Sequence, residues 1–207
     1  LGEKVRSLQA LRDAHHSQTG QARISASVAR SEARSAAKNL EQLEKVIAAR
    51  NTGAGFITTE GQRLSERVDV GTHIITATLA AGTRLREGKV IPLARAQGVD
   101  LTVRTMEHTY ATGPRTETLI EAADCSLVAT MLGSHPKTWD PVGLSRRLEN
   151  MLEGLEGQRA RLSERVESAT SKIAQFEVAA ATPFERESEL VDLQTRLDVI
   201  DAELQMA

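Results

Sequence analysis

PVGLSRRLENMLEGLEGQRARLSERVESATSKIAQFEVAAA, residues 141 to 181, decides how this chain is read. Leu148, Leu155, Leu162, Ala169 and Phe176 recur at intervals of seven residues. Leu152, Val166, Ile173 and Ala180 form a second row four residues later, interrupted by Arg159. Two apolar rows at this period make the narrow seam of a coiled coil, because the period keeps one face turned toward a partner helix. The other positions are Glu, Arg, Gln and Ser, which suit a solvated face. The stretch predicts one long helix, with Pro141 near its entry and Ser145 as its N-cap. The competing reading is an amphipathic helix on a globular core, and the narrow, long stripe favours the coil.

Such a seam needs a partner, and residues 2–50 are the candidate. They are rich in Ala, Gln, Glu, Arg and Lys and contain no Pro, a helical composition. Val5, Leu8 and Leu11 open an apolar stripe; Leu40, Leu43, Val46 and Ile47 close one. Between them Ala22, Ile24, Val28, Ala33, Ala36 and Ala37 leave it thin, and Gly20 marks a weak point. Charge favours the pairing. Residues 1–50 hold nine Lys and Arg against five Asp and Glu, a net +4. Residues 141–207 hold eight against thirteen, a net −5. Arms of opposite charge attract each other more than their own kind.

Between the arms the period changes. Asn51, Thr52 and Gly53 tolerate the left-handed conformation that ends a helix. Phe56–Thr58 reads as a short strand, 59–62 as a turn, and Ser65–Arg86 as a shorter helix with Leu64, Val68, Ile74, Ile75, Leu79 and Leu85 along one side. Gly71 and Gly82 weaken that helix. Segments 89–95, 99–106, 117–122 and 126–132 are short, β-branched and bounded by turn residues. Thr112-Gly113-Pro114 and Ala123-Asp124 read as the turns of an antiparallel meander. Near the end, Thr182-Pro183-Phe184-Glu185 looks like a fresh helix start. Leu190, Leu193, Leu197, Ile200 and Leu204 follow as a three-four stripe.

The expected fold class is α+β, mostly α: a long antiparallel coiled coil with a small antiparallel β-meander plus helix domain inserted between its arms. The boundaries are 1–52 for the first arm, 53–140 for the inserted domain, and 141–207 for the second arm, broken near 182–183.

Composition narrows the functional classes. Aromatic residues make up 2% of the 207 and the net charge is −2. Neither a basic nucleic-acid-binding domain nor an acidic tail has this balance. Cys125 is the single cysteine, which excludes an internal disulfide and a thiolate zinc cluster and makes cytoplasmic residence the default. No apolar run approaches the roughly 20 residues of a membrane span, and no signal peptide is visible. The opening on Leu1, already in helical sequence, suggests a piece of a longer polypeptide. His15 and His16 point different ways on a helix and read as solvated. His73, His108 and His135 show no metal-ligand spacing. Cys125 reads as a buried thiol rather than a nucleophile. No catalytic, metal or cofactor set emerges. Arg63 and Arg67 beside a turn, with Arg146 and Arg147 near a helix start, are candidate contacts for DNA phosphates or a partner. The plainer reading pairs them with Glu149, Glu66 and their neighbours.

Three motifs stand in order: T-x-x-G-Q-R-L-S-E-R-x-x-x-G from Thr58, D-P-V-G-L-S-R-R-L-E-N-M-L-E-G-L from Asp140, and T-P-F-E-R-E-S-E-L-x-x-L-x-x-R-L from Thr182. Over roughly residues 56–205 the chain resembles the C-terminal region of the very large fusion proteins of phages, conjugative plasmids and integrated elements. Those proteins join an N-6 adenine methylase-like module to a Swi/Snf-type helicase. The positions that carry the resemblance are Gly143, Arg147, Leu148, Glu149 and Asn150, then Pro183, Phe184, Glu187, Glu189 and Leu190. The chain itself holds neither a G-x-x-x-x-G-K-[ST] phosphate loop nor an Asp-Pro-Pro-Tyr-type methylase motif. The resemblance implies a non-catalytic accessory region, attached to DNA-acting helicase and methyltransferase domains of the same polypeptide. It would position them on DNA or recruit a partner. The alternative is a self-associating scaffold, a homodimer with no direct DNA role.

Overall fold

A computed structural model describes residues 1–50, 55–110, 113–123, 125–132 and 135–206. The chain is mostly helical with one six-stranded antiparallel sheet. It divides into two compact units, Leu1–Ser35 with Arg165–Ala207, and Ala36–Glu164.

The second unit carries the sheet. Its strands are β1 (Phe56–Thr58), β2 (Arg63–Leu64), β3 (Ile91–Ala96), β4 (Val99–Tyr110), β5 (Gly113–Ala122) and β6 (Cys125–Leu132), in spatial order β2-β1-β3-β4-β5-β6. The meander expected from four segments is its right-hand part, and the β1–β2 hairpin extends it past β3. Arg63–Leu64 had no strand signal of its own, because two residues cannot show an alternation. The turns expected at Thr112 and Asp124 lie outside the described residues, as does the helix end expected over residues 51–55 except for Gly55, which has φ of 76°. Pro92 sits in β3 beyond the reach of β1, which pairs only with Ala94–Ala96. There β3 is locally an edge, where a residue without an N–H is tolerated.

Register decides the two faces. Phe56, Ala96 and Val99 share one side, as do Ala94, Leu101 and Ala122, and Ile91, Val103 and Ile120. These residues are buried in one core with side chains from α2 (Arg67–Ala80), α4 (Pro141–Glu153) and the last turns of α1 (Gly2–Arg50). The helix contributions include Ile74, Leu148, Leu152 and Leu43. The opposite face carries the cross-strand pairs Arg95–Asp100 at 2.6 Å and Arg104–Glu121 at 2.8 Å.

Several helix readings change. The expected helix 65–86 is α2 followed, after Ala81, by α3 (Gly82–Arg86). Its inward face is Val70, Ile74, Thr78, Ala81 and Leu85, while Val68 and Leu79 are exposed. The three-four spacing fits either set, and packing on the sheet selects the first. The expected single helix 141–181 is α4 and α5 (Leu155–Ala181), interrupted at Gly154. Its N-cap is Asp140, not Ser145, which is buried inside α4. Gly71 is not merely a weak point. A Cβ there would overlap the backbone carbonyl of Pro141, so the glycine lets α2 approach the start of α4.

The first unit gathers the beginning of α1, the later part of α5 and α6 (Glu187–Met206). Val5 and Leu8 are buried with Leu190 and Leu193, and Leu197 packs against them. Its ion pairs set basic α1 residues against acidic partners: Lys4–Glu189 at 3.0 Å, Arg12–Glu187 at 3.7 Å, and Arg30 with Glu177. These pairs lie at or near the surface, where solvent screening leaves each a small contribution to stability. Leu11, Ile24 and Val28, expected in the stripe, are exposed, while Ala22, expected there too, is buried together with Thr19, Ala26 and Ala29. Thr182 does not begin a new helix. Its hydroxyl donates to Val178 O at 2.9 Å, closing α5, and α6 starts at Glu187. His15 is not simply solvated. Its ring lies 5.7 Å from that of Phe184, and Nε2 is 3.0 Å from Thr182 O. A carbonyl only accepts, so Nε2 carries the proton and satisfies a carbonyl left open by the helix end.

Two outcomes follow. Gly71→Ala forces two backbones apart and lowers unfolding stability by about 3 kcal/mol or more in denaturant titration. Lys4, then Arg186, hold the Glu189 carboxyl below its ordinary value of 4.5. A carboxyl depressed in the folded state stabilises fully above its unfolded value, and the contribution fades as pH falls through the folded one. The thermal midpoint of Glu189→Gln therefore lies below that of the parent chain at pH 7, and the difference closes as the pH falls below the ordinary value of 4.5 and through the depressed folded one.

Candidate functional site

A cleft of about 360 Å³ opens in the sheet unit between the β1–β2 hairpin and helices α2 and α4. Phe56, Leu64, Val70, Leu148 and Leu152 form its apolar wall. The polar groups around it are Arg63, Arg67, Glu149, Gln97 and Ser145. Each arrives for a local reason. Arg63 belongs to the edge strand β2, Arg67 opens α2, and Ser145 and Glu149 lie four residues apart on α4, one turn from each other on the same face.

Arg67 and Glu149 meet fork to fork. Nε lies 3.0 Å from Oε1 and Nη2 lies 2.8 Å from Oε2. This bidentate geometry is the favoured one for guanidinium and carboxylate. The hydrogen bond to Glu149, then its charge, raises the Arg67 pKa above its ordinary value. Arg67 is thus occupied, and two of the residues singled out in sequence are each other's partners. Arg63 makes no ion pair among the described residues.

Gln97 was not legible as a site residue. It has φ of 50° and precedes Gly98 at φ 86° in the turn joining β3 to β4. Two positive φ values in a two-residue hairpin are the mark of a type I′ turn. Gln97 N donates to Gly55 O at 2.7 Å, and its Oε1 accepts from Arg50 Nε at 3.2 Å. These bonds hold a conformation that a residue with a Cβ rarely adopts. The signal in sequence was the Q-G dipeptide between alternating runs.

The remaining arginines do not join this cleft. Arg147 borders a separate pocket of about 270 Å³ beside Trp139, Gly143 and Leu144. Its Nη1 reaches Met131 O at 3.4 Å. Arg146 is exposed, with no ion pair among the described residues. Gly143 sits where Asp140 caps α4. Asp140 Oδ2 accepts from Gly143 N at 2.7 Å and Oδ1 from Val142 N at 3.3 Å. A Cβ on Gly143 would crowd the same carboxylate at 2.7 Å. Asn150 O accepts from Gly154 N at 3.0 Å where α4 ends.

The second group of motif residues belongs to the first unit. Phe184 packs on His15, Glu189 pairs with Lys4 and Arg186, and Leu190 is buried against Val5 and Leu8. Pro183 follows the last residue of α5 by two. Cys125 is buried in the sheet core. Among the described residues no three His, Cys, Asp or Glu side chains are placed to hold a metal ion, and no helix is long and apolar enough to cross a membrane. No protein-family model matches the chain, and no curated protein matches it.

Removing the cap tests this local geometry. Asp140→Ala leaves the first amides of α4 without their acceptor and costs about 1 kcal/mol in chemical unfolding; Asp140→Asn keeps most of that stability.

Proposed function

We propose that the chain is a non-catalytic accessory region of a DNA helicase–methyltransferase polypeptide. In this reading α1 and α5 pair as an antiparallel coiled coil, and the sheet unit positions the enzyme domains on DNA. The observation that carries the coil is the spacing of covered positions on α1. Residues 5, 8, 12, 15, 19, 22, 26, 29, 33, 36, 40, 43 and 47 are all buried or half-buried, alternating steps of three and four. Residues 162, 166, 169, 173, 176 and 180 of α5 follow the same alternation. A sustained mean step of 3.5 is the signature of a supercoiled pair. Alanine at 22, 26, 29, 33 and 36 allows close approach of the helix axes, and Arg30 with Glu177 supports the pairing.

The DNA role rests on the motifs around Leu148 and Glu149 and on the two uncommitted arginines, Arg63 and Arg146. The test is fluorescence anisotropy of a labelled duplex titrated with the chain at low salt. Binding that weakens steeply with salt, and drops about tenfold in the Arg63→Glu, Arg146→Glu double variant, supports direct contact. No binding at low salt removes DNA from the reading and leaves contact with a partner protein.

The self-associating scaffold keeps one supporting observation. Val191, Val199, Ile200 and Leu204 of α6 are exposed apolar residues. Light scattering separates the readings: a monomer mass agrees with pairing inside one chain, and a dimer mass that falls to monomer in Leu204→Glu agrees with the scaffold.

A further inference from the structure

A second cavity of the sheet unit, about 710 Å³, lies between α2–α3 and strands β4 and β5, away from the arginine cleft. Four threonines border it: Thr105, Thr116 and Thr118 from the strands and Thr78 from α2. Thr105 and Thr118 are direct cross-strand partners, and Thr116 lies two residues along β5 on the same face. The sheet therefore offers a row of hydroxyls. Thr105 Oγ1 donates to Leu85 O at 2.8 Å, which ties α3 to the sheet and leaves the oxygen free to accept.

Thr78 is the informative member. It is 2% exposed, and its Oγ1 has no hydrogen-bond partner among the described residues. Two other helical threonines bond the carbonyl four residues back, Thr170 to Val166 at 2.8 Å and Thr195 to Val191 at 2.9 Å. Thr78 forgoes that bond at a buried position, where an unmet hydroxyl is costly. Among the described residues that line the cavity, Arg86 is the one charged side chain and His135 stands beside it; Glu107, the cross-strand partner of Thr116, lies exposed on the same sheet face. Arg86 is exposed, donates only a 3.3 Å bond to Thr83 Oγ1, and makes no ion pair among the described residues. Leu79 and Pro136 add an apolar wall.

We propose that this cavity binds a phosphate monoester carried on a hydroxylated ring, a sugar phosphate or a mononucleotide. The guanidinium of Arg86 presents a planar donor fork that matches phosphate oxygens, with the His135 imidazole beside it. The threonine row meets the ring hydroxyls, and Thr78 Oγ1 gains the partner it lacks. The volume falls in the range of small-molecule sites.

Isothermal titration of the whole chain tests this, with adenosine 5′-monophosphate and ribose 5-phosphate as probes and adenosine and inorganic phosphate beside them. At least one ester binds with a Kd below about 1 mM, some tenfold tighter than adenosine or phosphate alone. Which ester binds distinguishes a nucleotide site from a sugar-phosphate site. Thr78→Val and Arg86→Gln each weaken that binding about tenfold. Thr78→Val leaves the unfolding midpoint unchanged or raised, since a methyl replaces an unmet hydroxyl of similar shape. Arg86 is exposed, so Arg86→Gln stays interpretable whatever Thr78→Val does to folding. The proposal is overturned if neither ester binds, or if both variants bind as the parent chain does.

Discussion

At Gly71 the backbone of α2 meets the carbonyl of Pro141 with no room for a side chain between them. Most of the sheet unit depends on that approach. It seats α2 beside α4, so that Val70, Ile74, Leu144, Leu148 and Leu152 cover one face of the sheet as a single layer. It also brings Arg67, at the start of α2, within reach of Glu149 on α4. Pro141 can lie so close because it is the first residue of its helix and has no N–H to satisfy there. Asp140, one residue earlier, supplies the acceptor for the next amides.

The other unit is held differently. The buried positions in the middle of its α1 segment are largely alanine, and small side chains bury little area. Large apolar contacts concentrate where Val5 and Leu8 meet Leu190 and Leu193. The break after Thr182 makes that meeting possible. Pro183 follows the end of α5, His15 takes up an open carbonyl, and α6 starts at Glu187 with Leu190, Leu193 and Leu197 packed toward Val5 and Leu8 of α1. Ion pairs along this unit add direction rather than much energy, since they stand at or near the surface, Arg12 half-buried among them.

The arginine cleft and the threonine cavity differ in character. In the arginine cleft Arg67 is already neutralised by Glu149 on α4, while Arg63 makes no ion pair among the described residues. In the threonine cavity Arg86 makes no ion pair and the buried Thr78 hydroxyl has no partner among the described residues. Unmet polar groups, not the number of charges, mark where a ligand gains most.

Sequence by itself determined the type of nearly every long element. The helical composition of 2–50, the alternation Val99-Leu101-Val103 and the leucines of 190–204 each carry a period that one element type satisfies. It also gave the split of charge between the first fifty residues and the last, which the ion pairs of the first unit follow. Tertiary structure alone decided which face of each period is covered. Spacing cannot choose between Val28 and Ala29, because neighbours on a helix differ by only about a hundred degrees, or between Val68 and Val70, because apolar residues stand on more than one side of α2. What lies opposite makes that choice. The same holds for Gly71, read in sequence as a weakness and used in the fold as a point of contact. It holds too for Thr78, whose missing hydrogen bond exists only once α2 is laid against the sheet.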